Sequence, residues 1–155
     1  MMDRFKYTSL LCIALAAITA CVSVISHNED MAAIKAVEFA KVAFVDHQVN
    51  KAHGLLSPET QKNIPVEKLI EILTQMHLSS YPLTVTATDF EPIPGQRSMN
   101  ILLYGENGGE KFYYRLVMSG VIETDYQVGG FYRGNRPYPG SSLKKALTLK
   151  RSTSP

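Results

Sequence analysis

Three observations predict an α+β fold, with three N-terminal helices packed on a curved four-stranded antiparallel sheet. Apolar residues recur at steps of three and four as far as His77 and at every second position from Tyr81 onward. A glycine-rich turn, Gly105-Glu106-Asn107-Gly108-Gly109-Glu110, joins two of the alternating segments. The chain of 155 residues, 45% apolar and 19% charged, has the size and composition of one globular domain. Two cysteines are too few for a disulfide scaffold, and the apolar content is too high for a disordered chain.

The first 25 residues read separately from the body. Arg4 and Lys6 precede the apolar stretch Leu10 to Ile18, the order of a secretory signal. Ile18-Thr19-Ala20-Cys21 then sets two small residues before a cysteine, a pattern that resembles the bacterial lipobox. The resemblance implies cleavage before Cys21 and a diacylglyceryl group, with its two acyl chains, on the thiol, and it leaves open a further acyl chain on the new amino terminus. It makes 1–20 a lipoprotein signal peptide and 21–30 a tether. Two acyl chains anchor stably where one is marginal. An ordinary cleaved signal and an uncleaved anchor stay open beside it, although Thr8 to Ile25 falls short of the roughly 20 apolar residues that span a bilayer. On the lipobox reading Cys12 leaves with the signal and Cys21 carries lipid. No thiol then remains for a disulfide, a metal or a nucleophile. Val22, rather than an aspartate, follows the cysteine, which by the same resemblance is compatible with the outer membrane.

In the body, Met31 to about Ala52 contains no glycine or proline and reads as one long amphipathic helix. Asp30 is its expected N-cap and Gly54 its stop, with Ile34, Val37, Phe44, Val45 and Val49 on the buried side. Ser57-Pro58-Glu59-Thr60 is a cap, a first-turn proline and an early carboxylate, which start a short helix ending by Asn63. Pro65 opens a third helix whose stripe is Val66, Leu69, Ile70, Leu73, Met76 and His77. Leu83, Val85 and Ala87 alternate with threonines in a first strand, closed by Pro92, Pro94 and Gly95. Met99 to Tyr104 and Lys111 to Ser119 form the hairpin, in which Phe112, Tyr114, Leu116 and Met118 share one face. A last strand, Asp125 to Arg133, carries Gly129-Gly130, where a bulge is expected.

The long helix, the Leu55-Leu56-Ser57-Pro58-Glu59-Thr60 helix start and the terminal Tyr126-Gln127-Val128-Gly129-Gly130-Phe131-Tyr132 strand resemble the nuclear transport factor 2-like superfamily, also called the SnoaL-like or cystatin-like cone. The resemblance covers the domain 31–134. It implies a pocket between the helices and the concave sheet, used by some members for enolisation or dehydration with Asp, His and Tyr. His77 is then the candidate general base, because its stripe approaches the pocket and burial can tune its proton affinity. A core-edge histidine bonded to a backbone carbonyl is the plainer reading. Asp46 and His47 are adjacent on a helix and point about 100° apart, so they read as a solvated helix end. His53 reads as a helix C-terminal cap.

Tyr114, Tyr126 and Tyr132 are the aromatic residues expected at a pocket or interface. Tyr113 and Arg115 are expected on the outer sheet face, where related folds often dimerise. The histidines show no metal-ligand spacing, so neither metal nor cofactor is expected. Charge is uneven. Residues 21–134 carry nine basic against thirteen acidic side chains, whereas 135–155 carry five basic and none acidic. That Pro/Gly/Ser-containing basic tail could rest on anionic lipid, on the acidic body, or in solvent. Nucleic acid is a poor partner for an exported chain without a basic patch in its folded part. The expected function is a membrane-tethered, exported, non-enzymatic module that binds a small ligand or a protein. The alternatives are a periplasmic acid/base enzyme with a His/Tyr pocket and a structural module that dimerises or joins an envelope complex.

Overall fold

A computed structural model of the protein describes residues 25–148. Residues 1–24, which include the expected signal segment and Cys21, and residues 149–155 lie outside the described residues. The described chain forms α1 (Glu29–Ala40), a π-helical turn (Lys41–Val45), α2 (Val49–Gly54), α3 (Pro58–Asn63) and α4 (Val66–Met76). The strands follow as β1 (Thr84–Pro92), β2 (Ser98–Asn107), β3 (Glu110–Ser119), β4 (Gln127–Gly134) and β5 (Lys145–Ala146). The strands make one antiparallel sheet in the order β4-β3-β2-β1-β5, with the helices over one face. The α+β class is as expected.

The element count is not. Three helices and four strands were expected, and four helices, a π turn and five strands are present among the described residues. The single long helix divides because the chain widens at Lys41, where the Asp46 N–H reaches back five residues to the Lys41 carbonyl (2.8 Å), and His47 then turns left-handed at φ 55°. The Lys41 ammonium closes on the Asp46 carboxylate (2.6 Å) across the same turn. Five residues of ordinary helix would leave Phe39 and Phe44 well apart in direction. The π turn brings both onto the core, with ring centroids 5.8 Å apart.

The buried face of α1 also differs from the expected one. Ala32, Ala33, Ala36, Phe39 and Ala40 are buried, while Ile34 is 57% exposed. Small alanines let the helix backbone come close to the sheet, so the bulky aliphatics are displaced outward. The cap is Asn28 rather than Asp30, its Oδ1 accepting from the Met31 N–H at 2.9 Å. The second cap is as expected, since Ser57 Oγ accepts from the Thr60 N–H and Pro58 opens α3. The third helix also starts where expected, after Pro65.

Phe112, Tyr114, Leu116 and Met118 of β3 are all fully buried beneath the helices. Asn107-Gly108-Gly109-Glu110 forms the hairpin turn, with φ 56° at Gly108 and 91° at Gly109, the positive values of a type I′ turn. The bulge falls at Gly129, because Val117 pairs with Gly130 and Met118 with Val128. A Cβ there would stand 2.5 Å from Ser119 Oγ.

The fifth strand comes from the region that the sequence reading assigned to the tail. Lys145 and Ala146 pair with Phe90 and Asp89, and the Leu147 N–H donates to the Thr88 carbonyl at 3.0 Å. The chain reaches this edge strand by passing over the outer face of the sheet. There Pro137, Tyr138 and Lys144 border a cleft of about 240 Å³ with Leu102, Tyr104 and Tyr113.

Candidate functional site

The chemistry-bearing groups meet where α4 ends against β3. His77 caps α4, and its backbone N–H is held by the Thr74 carbonyl. Its ring Nδ1 lies 2.9 Å from the Leu73 carbonyl and its Nε2 2.8 Å from the Tyr114 hydroxyl. A carbonyl only accepts, so Nδ1 carries the proton. In the neutral ring Nε2 must then accept, and the Tyr114 O–H donates to it. His77 is 4% exposed and Tyr114 fully buried.

The surrounding groups fix these ionisation states. Burial holds His77 below the ordinary histidine value, the Leu73 carbonyl opposes this in part, and the positive charge of Arg133 adds to it. Burial also raises Tyr114 above the ordinary phenol range, with Arg133 opposing and Glu110 reinforcing. Both groups are therefore neutral near pH 7. Tyr81 stacks on the His77 ring (4.4 Å between centroids, 17° between planes) and receives His47 edge-on at 4.3 Å. Phe44 stacks on Tyr114 at 4.6 Å.

Arg133 closes the other side. Its guanidinium donates to the Met76 carbonyl, lies 4.7 Å from the Phe112 ring centroid and approaches the Glu110 carboxylate at 3.6 Å. Glu110 in turn accepts from Ser80 Oγ. The loop between α4 and β1 is thus fastened to the hairpin through charged and hydroxyl groups, with the His77–Tyr114 pair behind it. An open cleft of about 360 Å³, lined by Ala43, His47, Val49, Ile70, Leu73, Thr74 and Tyr81, ends at Tyr81. His77 lies behind that ring.

The other candidates are dispersed. Asp46 is engaged by Lys41, and His47 is exposed at the left-handed turn. His53 reaches from α2 to the Ile64 carbonyl (3.0 Å) and so ties α2 to the end of α3. Tyr126 is buried beside the N-terminus of α1, where its hydroxyl accepts the Asn28 backbone N–H at 2.8 Å.

Tyr113 and Arg115 lie on the outer face, as the alternation predicts, and Tyr132 lies there beside Arg115. Asp89, Leu102, Arg115 and Tyr132 stand opposite one another across β1 to β4. The Arg115 guanidinium sits 4.8 Å from the Tyr132 ring centroid and 5.3 Å from that of Tyr138. This face is therefore partly occupied by the chain itself. Residue-level reading missed Tyr81 and Arg133, and it put Phe44 on the buried side without its place against Tyr114. Arg133 is an inward cation on a strand, and only its pairing with Tyr114 across β3 and β4 reveals its place.

Among the described residues no group of three His, Asp, Glu or Cys side chains could hold a metal ion, and no helix is long and apolar enough to cross a membrane. No protein-family model matches the chain, and neither a curated protein nor a solved structure matches it.

Proposed function

We propose that this chain is an exported lipoprotein, held at the bacterial cell envelope by lipid on Cys21, whose nuclear transport factor 2-like domain binds a protein partner through its surface and performs no catalysis. The observation that carries the reading is the filled space between helices and sheet. Phe39, Phe44, Phe112 and Tyr114 occupy the place where a ligand pocket would open, and each is fully buried. The hydrogen-bonded pair of His77 and Tyr114 spends its hydrogen bonds on itself and on the Leu73 carbonyl.

An acid/base enzyme would need a reactant atom within hydrogen-bond reach of His77 Nε2, the position Tyr114 already fills. A partner would instead find apolar side chains beside the cleft that ends at Tyr81. Ile70 and Leu83 are 48% and 66% exposed, and Leu78 is 84% exposed on the adjoining loop. Ile70 lines that cleft, Leu78 and Leu83 lie on the loop that carries Tyr81 into it, and exposed aliphatic side chains of this kind mark protein interfaces.

Intact mass spectrometry of the protein purified from its native membrane, under denaturing and then native conditions, tests both halves. The expected outcome is a chain that begins at an acylated Cys21 and keeps no small molecule under native conditions. An unmodified Cys21 contradicts the anchor. A stoichiometric apolar compound that dissociates only on denaturation contradicts the filled interior.

A further inference from the structure

We infer that the end of the domain carrying Ile25, Met31 and Ile122 lies against the lipid surface, leaving the cleft at Tyr81 on the far side. The inference rests on the lipoprotein reading of Cys21 and adds an orientation to it. The chain joins the domain at one end of the sheet: the Ile122 N–H donates to the Ser26 carbonyl at 3.3 Å, and the Asn28 N–H to Tyr126. The Lys35 ammonium, nearly two turns into α1, meets the Asp125 carboxylate at 3.4 Å. The loop between β3 and β4 and the start of α1 therefore share this end. The turn between β1 and β2 lies there too, since the Gly120 N–H donates to the Arg97 carbonyl at 2.9 Å.

Chain length then limits the geometry. Five Cα-to-Cα steps lead from Cys21 to Ser26, and a fully extended chain advances at most ~3.6 Å per step, giving a reach of about 18 Å. A ten-residue strand such as β2 is about 33 Å long at the usual strand rise. The tether is shorter than the domain, so the opposite end cannot turn to the bilayer.

The side chains at the tethered end suit such a contact. Ile122 is 55% and Met31 45% exposed, with Ile25 beside them, at the one end where acyl chains hold the protein. The charges there are mixed. Lys35 and Asp125 pair, Arg97 makes no ion pair among the described residues, and Glu29, Asp30 and Glu123 are negative. That balance disfavours anionic headgroups, so the partner surface is zwitterionic phospholipid, met through aliphatic side chains.

The protein contains no tryptophan, so a single introduced one reports its own surroundings. The full-length lipidated variants Ile122→Trp and Leu78→Trp are to be reconstituted in phosphatidylcholine vesicles, with and without bromine-labelled acyl chains. The expected result is at least twofold quenching and a blue shift at position 122, with neither at 78. Equal emission at 122 in plain and brominated vesicles, from a protein that co-sediments with them, overturns the orientation while leaving the anchor intact. A protein that does not co-sediment and carries no acyl chain overturns both. Replacing part of the phosphatidylcholine with phosphatidylglycerol should weaken the quenching at 122, and strengthening it would contradict the zwitterionic assignment.

Discussion

The two faces of the sheet are buried by different means. The inner face is covered by α1 and the π turn, which pack aromatic rings and aliphatic side chains onto Phe112, Tyr114, Leu116 and Met118. The outer face is covered only in its middle, by a strap that passes through Tyr138 and Lys144 before ending in β5. Leu102 shows the consequence. It points outward between Asp89 and Arg115, yet it is 5% exposed. The inner face owes its burial to packing that permits little adjustment, whereas the outer face owes it to a removable segment held by a few polar contacts. Stability should therefore be concentrated on the inner side and adaptability on the outer.

The largest effect should come from Phe44→Ala. This change empties space against Phe39, His77 and Tyr114 and should lower unfolding free energy by about 3–5 kcal/mol in a denaturant titration. Ending the chain at Asn135 strips the strap from Leu102 and removes β5. It should cost about 2–3 kcal/mol, from the exposure of one large apolar side chain. It should also give concentration-dependent dimers in sedimentation, because the uncovered face carries Tyr113 and Arg115 toward solvent. A truncated chain as stable as the full one would abolish the distinction between strap and free tail.

Tyr114→Phe should cost about 1–2 kcal/mol, since it leaves His77 Nε2 buried without its donor. The same pair predicts a pH response. Folding holds His77 below its ordinary value of 6.5, so the unfolded chain takes up the proton more readily. Stability from this group is complete above that value and is lost as pH falls through it toward the lower folded value. His77→Gln should flatten the fall in stability between neutral and mildly acidic pH. Lys144→Ala sharpens the comparison from the weak side. Its ammonium lies 3.8 Å from the Asp89 carboxylate in a part-exposed pair, so less than about 1 kcal/mol should be lost.

Much of this fold could be read from local chemistry. The hairpin turn, the inward row of β3, the Ser57 cap and the bulge at the Gly129-Gly130 pair follow from residue type and spacing within a few positions. The broken first helix could not be read this way. Nothing between Lys41 and Gln48 is a helix breaker, and the π turn exists because Phe39 and Phe44 both gain burial from it, which is a property of the sheet they meet. β5 was equally hidden, since Lys145 and Ala146 have weak strand preference and pair only because β1 offers an open edge. At the candidate site, the stripe through His77 and the inward position of Tyr114 were each legible. Their hydrogen bond was not, because it joins a helix end to a strand 37 residues away.

The measurement that bears most directly on a closed, non-catalytic interior is the imidazole nitrogen NMR spectrum of His77 followed through a pH titration. A neutral ring at pH 7 protonated at Nδ1, with Nε2 unprotonated and protonation only below the ordinary histidine value, is expected of a residue sealed behind Tyr81 and bonded to Tyr114. A ring that titrates at or above the ordinary value, or that carries its neutral proton on Nε2, would contradict the arrangement and return His77 to consideration as an accessible base.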